Sequence, residues 1–316
     1  MTASAPATSH PALAGLTVLE RGWLSSNNLL IHAAGDETGA VLIDTGHVNH
    51  AAQTLALVRH ALHGQPLARV LNTHLHSDHC GGNAALQREF GVPVFVPPGQ
   101  AQAVQAWDAA ALSYAATGQR CERFTPQGLV QPGEVIAAGG RRWEVLQAPG
   151  HDPASVMFFD AAQGVLVSAD ALWEHGFGVV FPEIEGEPGF DDVAAVLDAI
   201  ERLPVHIVIP GHGAPFTDVA GALARARSRL AAFMSDPAKH ARHGAKVLLK
   251  YHLMEEREQS LEALRAWADA TPLMRGVWEQ VGRGQAATAG EWGEVLAREL
   301  TASGALAIDG FVARDI

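Results

Sequence analysis

Cysteine is scarce in this chain: 316 residues carry only Cys80 and Cys121. Two thiols build no disulfide framework, and they cannot supply a thiolate zinc site, so any metal has to be held by histidine and carboxylate. Long apolar runs are missing too. No stretch reaches the roughly 18 residues that a membrane span requires, so no membrane partner is expected. The opening Met1–Pro11, MTASAPATSHP, has neither a basic nor an apolar segment. No signal peptide is therefore expected, the cytoplasm is the expected compartment, and residues 1–15 are expected to be disordered. Positive charge is in deficit, 22 Lys+Arg against 34 Asp+Glu. Residues 218–316 hold 13 of each sign, so the whole net −12 falls on residues 1–217. A face that acidic repels phosphate backbones, and nucleic acid is disfavoured as a partner.

Histidine, by contrast, is plentiful, with 16 residues. Thr73-His74-Leu75-His76-Ser77-Asp78-His79 follows the apolar strand Ala68–Asn72 and packs three imidazoles and a carboxylate into six positions. His74 and His76, two apart, point the same way on leaving a strand, whereas Asp78 and His79 face a neighbouring point. Three further segments follow β-leaning runs in the same manner: Gly150-His151-Asp152, Ser168-Ala169-Asp170 and Pro210-Gly211-His212-Gly213. A strand ending in a small residue and then His or Asp is how a sheet presents ligands at one rim.

In order and spacing, HLHSDH, GHD, SAD and PGHG resemble the metallo-β-lactamase superfamily over roughly residues 16–216. The resemblance implies an α/β fold of αββα sandwich type, with a glyoxalase II-like binuclear metal site at one sheet edge. It implies that His74, His76 and His151 hold one metal, that Asp78, His79 and His212 hold the second, and that Asp170 bridges them. Seven N/O ligands suit two Zn²⁺, with Fe or Mn as alternatives. Two such metals would share a bridging hydroxide, the expected nucleophile, with Asp78 orienting it and handling its proton. A thioester, ester or lactone of a small molecule is the expected substrate. The alternatives are a metal-dependent phosphodiesterase or ribonuclease, a mononuclear iron persulfide dioxygenase, and a non-catalytic binding protein. Asp170 stands where the thiolate β-lactamases carry Cys, which disfavours antibiotic hydrolysis. His76 stands where flavodiiron proteins carry Glu, which disfavours oxygen reduction.

At 316 residues the chain is longer than one typical domain. The expected division is a catalytic domain over 16–216 and a mostly helical, winged-helix-like subdomain over 217–316. The latter has helices at 219–234, 239–256, 260–270 and 286–301, then a hairpin turning at Asp309-Gly310. It is expected to cover the domain edge or to make a homodimer contact. Arg225, Arg227 and Arg229 read as a solvated face.

Asp44 ends a strand and is either a partner orienting a ligand or an Asx-type turn residue. His47 and His50 read as surface histidines, and Cys80 as a packed small residue. Residues 100–118 read as an alanine-rich helical insertion, whose Trp107 and Tyr114 either cap the cleft or pack the helix onto the sheet. The aromatic stretch 172–181 is the second expected substrate wall, with Trp173, His175 and Phe181 as substrate-side candidates.

Overall fold

Alternation along the strands decides which layer each residue enters. The computed structural model describes residues 10–316. The first sheet runs, in spatial order, β1 (Leu16–Leu19), β2 (Asn28–Ile31), β3 (Ala40–Ile43), β4 (Leu67–Leu71), β5 (Val94–Val96) and β6 (Gly128–Leu129). β1 to β3 pair antiparallel and β3 to β6 parallel. The second sheet holds β7 (Val135–Ala138), β8 (Arg141–Gln147), β9 (Val156–Asp160), β10 (Val165–Ala169) and β11 (Ile207–Pro210), with only β10 and β11 parallel.

Leu29, Ile31, Val41, Ile43 and Leu71 point inward and meet Trp143, Val145, Phe158, Val165 and Val167 of the second sheet. Their neighbours Leu30, Leu42 and Val70 point outward and pack with Val58 of α1 (Ala51–Ala61) and Leu86 of α3 (Asn83–Phe90). The short α2 (Ser77–Cys80) lies between those two helices in sequence. On the far side, Phe159, Leu166 and Val208 bury against Val193 and Leu197 of α7 (Phe190–Arg202) and Leu223 and Leu230 of α8 (Val219–Ser235). Period-two apolar runs buried on both faces give the αββα layering.

The alanine-rich 100–118 segment is not one helix. It forms two short ones, α4 (Ala101–Ala106) and α5 (Tyr114–Thr117), because Trp107 and Ser113 take positive φ and the Asp108 carboxylate accepts the N–H groups of Ala110 and Ala111. Pro11–Leu13 forms a 3₁₀ turn that buries Ala12 and Leu13, so the expected disorder does not extend through residue 15. Residues 1–9 of that expected segment lie outside the described ones.

After α8 the chain breaks at Asp236, whose side chain accepts Lys239 N–H ahead of Pro237, the first residue of α9 (Pro237–Glu256). Then come β12 (Glu258–Ser260), α10 (Leu261–Ala270), α11 (Pro272–Val277), a π-helical turn, α12 (Ala289–Ala302), β13 (Leu306–Asp309) and β14 (Val312–Asp315), with a small sheet ordered β12-β14-β13. The hairpin turns at Gly310-Phe311, one residue later than the Asp309-Gly310 expected, because Asp309 still pairs with Val312. Leu249, Leu264 and Trp292 centre a fourth core that also takes Val179 and Ile184 of α6 (Phe181–Glu185) from the segment after Asp170. Gly244 permits that docking, since a Cβ there would lie 2.2 Å from Ile184 Cδ1. Among the described residues no helix is long and apolar enough to cross a membrane.

Candidate metal centre

Five strand ends meet at one rim. β3 delivers Asp44, β4 the 74–79 turn, β8 His151, β10 Asp170 and β11 His212. The approach is close: a Cβ at Gly211 would sit 2.1 Å from Asp170 Oδ1, so only glycine can follow β11 there.

The side chains form three triads whose ligand atoms lie within 4.8 Å of one another: His74, His76 and His151; His74, His79 and Asp170; Asp78, His79 and His212. His76 Nδ1 is 3.1 Å from His74 Nε2 and 2.8 Å from His151 Nε2. Asp170 reaches both groups, Oδ2 to His151 Nε2 at 3.3 Å and Oδ1 to His79 Nε2 at 3.4 Å. Asp78 Oδ2 is 3.0 Å from His212 Nε2.

The outward ring nitrogens fix the tautomers. His79 Nδ1–H donates to Asp44 Oδ2 at 2.7 Å, His74 Nδ1–H to Thr73 Oγ1 at 3.1 Å, and His151 Nδ1–H to Val179 O at 2.5 Å. Each Nε2 is then a bare lone pair turned inward, which is how outer hydrogen bonds prepare imidazoles for a metal. His79 Nε2 is buried with no hydrogen-bond partner, as a cation ligand requires. The donor set therefore fits a pair of divalent metals.

Electrostatics agree. Burial, then the neighbouring His79, holds His74 well below the usual histidine range, and burial brings His76 and His151 to about 4, so these rings are neutral. Burial alone would raise Asp78, but His79 and His212 outweigh it and hold the carboxyl at about 2. At His79 burial is overcome by Asp170, Asp44 and Asp78, and the ring is held well above its usual value. The local field thus favours positive charge at His79 Nε2.

The centre opens into a cleft of about 560 Å³ lined by Trp23, Trp173, Phe177, Phe181, Tyr251 and the cations Arg229, Lys246 and Lys250 among others. Trp173 and Phe181 line it, and Trp173 Nε1–H donates to Asp170 Oδ1 at 3.2 Å. His175 lines the mouth with 80% of its side chain exposed. Tyr114 is elsewhere: it is buried in the outer core, its hydroxyl donating to Leu75 O at 2.7 Å, and Trp107 packs beside it. The capping expectation fails because the break at Trp107 turns both rings inward.

Three corrections come from long-range packing. His47 is no surface residue; it is fully buried with Nε2 2.8 Å from Glu255 Oε1 of α9. His50 is half-buried, with Nδ1 2.8 Å from Ser25 Oγ. Of the arginine trio, Arg227 is solvated and pairs with Asp198 and Glu201, while Arg229 turns into the cleft. Cys80 is buried as expected, and Cys121 lies 3.7 Å from it.

Two wall residues carried no local signal. Trp23, 58% exposed, stacks on His212 with centroids 5.4 Å apart. Tyr251 O–H donates to Ser77 Oγ at 2.8 Å, and Ser77 in turn donates to Gln119 Oε1 at 3.0 Å.

The chain is similar to known proteins in sequence and in fold. A hydroxyacylglutathione hydrolase of Stenotrophomonas maltophilia is 31% identical over 58% of this chain and 59% of its own length. The chain thus spans about six-tenths of that curated relative. A β-lactamase domain protein from Burkholderia ambifaria covers 100% of this chain and 97% of its own at 21% identity and a TM-score of 0.57, a likeness of fold. A third, solved in a di-iron-bound form, covers 66% of this chain and 98% of its own at 27% identity and a TM-score of 0.52. The family model described as the metallo-beta-lactamase superfamily matches residues 21–212, more than half of the chain and every inward-facing ligand atom described above, and the chain belongs to that superfamily.

Proposed function

We propose that the protein is a metal-dependent hydrolase of thioester, ester or lactone bonds in small molecules. His74, His76 and His151 would hold one divalent cation and Asp78, His79 and His212 a second, with Asp170 between them. The observation that carries this reading is the placement of Asp170 within reach of both His151 and His79, in a buried cluster where the outward nitrogens of His74, His79 and His151 are already engaged. Zinc suits the N/O set, with iron or manganese as alternatives. When bound, such a pair acidifies water toward a pKa of about 7 and polarises the oxygen of the scissile group.

The chain's own residues do the rest. Asp78, held ionised beside His79 and His212, accepts a hydrogen bond from the attacking water and orients it. Trp173 fixes the Asp170 carboxylate through its indole N–H. Trp23, Phe177 and Phe181 wall the cleft and exclude bulk water from the reacting bond, and its volume suits a small molecule. Residues 16–216 would be the catalytic domain, and 217–316 a winged-helix-like subdomain whose α9 closes the cleft. A hydroxyacylglutathione hydrolase among the relatives supports the thioester class.

The test is turnover of acyl thioesters, lactones, phosphodiesters and short RNA by metal-replete protein, with His76→Ala as background and metal content measured alongside. Thioester or lactone hydrolysis that vanishes in His76→Ala, with two metals per chain falling to one in Asp170→Ala, is the expected result. RNA cleavage, or one tightly held iron, overturns it.

A further inference from the structure

The cleft wall opposite the metal triads carries an arrangement that hydrolysis by itself does not require. Arg229, on α8, is half-buried and has no carboxylate within salt-bridge distance among the described residues. Its polar partners are neutral: Nη2 donates to His243 Nε2 at 3.0 Å and Nη1 to His175 O at 3.4 Å. Burial and the nearby Arg229 keep His243 uncharged. The guanidinium lies over Phe233 at 5.5 Å and Phe177 at 6.0 Å, and Gly176 leaves room for it, since a Cβ there would fall 2.5 Å from Nη1. A guanidinium has five N–H donors, so three remain uncommitted.

A desolvated cation without a counter-charge is costly and marks a place that an anion fills. The flanking wall has the same sign. Lys246 shares Glu299 with Arg242, and Lys250 shares Asp315 with Arg257, so each carboxylate is divided between two cations. Glu174 is the acidic residue at the mouth, beside His175. Between Arg229 and the metal triads the lining is apolar, with Phe177, Val179 and Phe181.

We infer that Arg229 is a specificity residue that binds an anionic group, a carboxylate or a phosphate, at the end of the substrate remote from the scissile bond, with an apolar segment spanning the gap. This rests on the hydrolase reading for the identity of the bond cleaved, but not for the binding of the anion.

Matched thioesters that differ only in a neutral, carboxylate or phosphate terminus test it in the metal-replete protein. The expected result is a kcat/KM advantage of about tenfold to hundredfold for an anionic member. That advantage should collapse in Arg229→Gln through KM, be partly kept in Arg229→Lys, and shrink with salt. Calorimetric binding of hexanoate and butyl phosphate to wild type and Arg229→Gln, each shown folded by its melting curve, gives a second readout. Weaker binding of either probe to the variant supports the subsite, and the tighter probe identifies the anion. Equal kcat/KM for all termini, or equal probe binding by the two proteins, overturns it. If no thioester, ester or lactone is hydrolysed, the hydrolase reading fails and the binding comparison alone decides the subsite.

Discussion

Replacing Asp44 by Asn tests the metal centre with a change of one atom type. Asp44 Oδ1 accepts Thr73 N–H at 2.9 Å, while Oδ2 accepts His79 Nδ1–H at 2.7 Å and Thr73 Oγ1–H at 2.8 Å. In Asp44→Asn the backbone N–H keeps the amide oxygen on its own side, because two donors cannot face each other. The new NH₂ must then face His79. His79 Nδ1 becomes an acceptor, and its proton moves to Nε2, the atom 3.4 Å from Asp170 Oδ1 and 3.8 Å from Asp78 Oδ2. The inward lone pair is lost. Backbone strain does not confound the result: Asp44 has φ of 57°, and asparagine accepts that region readily. Loss of such an orienting partner costs about 10–100-fold in metal affinity, or about 1.4–2.8 kcal/mol. The assay is competition between protein and a chromophoric chelator for zinc, with the melting temperature as a check on folding. A folded Asp44→Asn protein that binds two metals at wild-type affinity would refute the tautomer argument.

Other outcomes follow from the same geometry. Glu255→Ala leaves the buried His47 Nε2 without its hydrogen-bond partner and should lower unfolding stability by about 1–3 kcal/mol in denaturant titration; unchanged stability would refute that role for the contact. Gly211→Ala places a methyl against Asp170, so purified protein should carry less metal by elemental analysis, and full loading would contradict the crowding. His240 is brought to about 4 by burial, with Arg229 lowering it further and Glu183 opposing, and His243 to about 4 by burial, Arg229, His240 and Lys246. The unfolded chain binds these protons first, so stability should fall as pH drops from about 6.5 to about 4. In thermal melts the His240→Gln, His243→Gln double variant should show a shallower decline across that window, and an unchanged slope would assign it to other groups.

The fold was legible where information is local. Apolar runs such as Val165–Val167 and Ile207–Ile209 end in small residues before Asp170 and His212, and that pattern alone placed the ligands at strand ends. The Asp44 role was half-legible, because a carboxylate after a strand looks the same whether it turns the chain or holds His79. The arginine trio needed helical geometry: positions 225 and 229 share a face of α8, whereas 227 lies nearly opposite, so a single solvated face could not hold all three. Composition misled at 100–118, where alanine favours helix but the Asp108 carboxylate competes for its N–H groups. His47 could not be read locally at all, since its partner Glu255 is 208 residues away.

The same distance has a consequence for biosynthesis. Ser77, inside the metal-binding turn, takes its hydroxyl partner from Tyr251, 174 residues further along. At about 5–20 residues per second, a ribosome needs roughly 10–35 s to cover that interval. During that time the nascent histidine turn lacks the helix that fixes it. The histidine turn therefore gains its final support only once α9 has been synthesised and has docked.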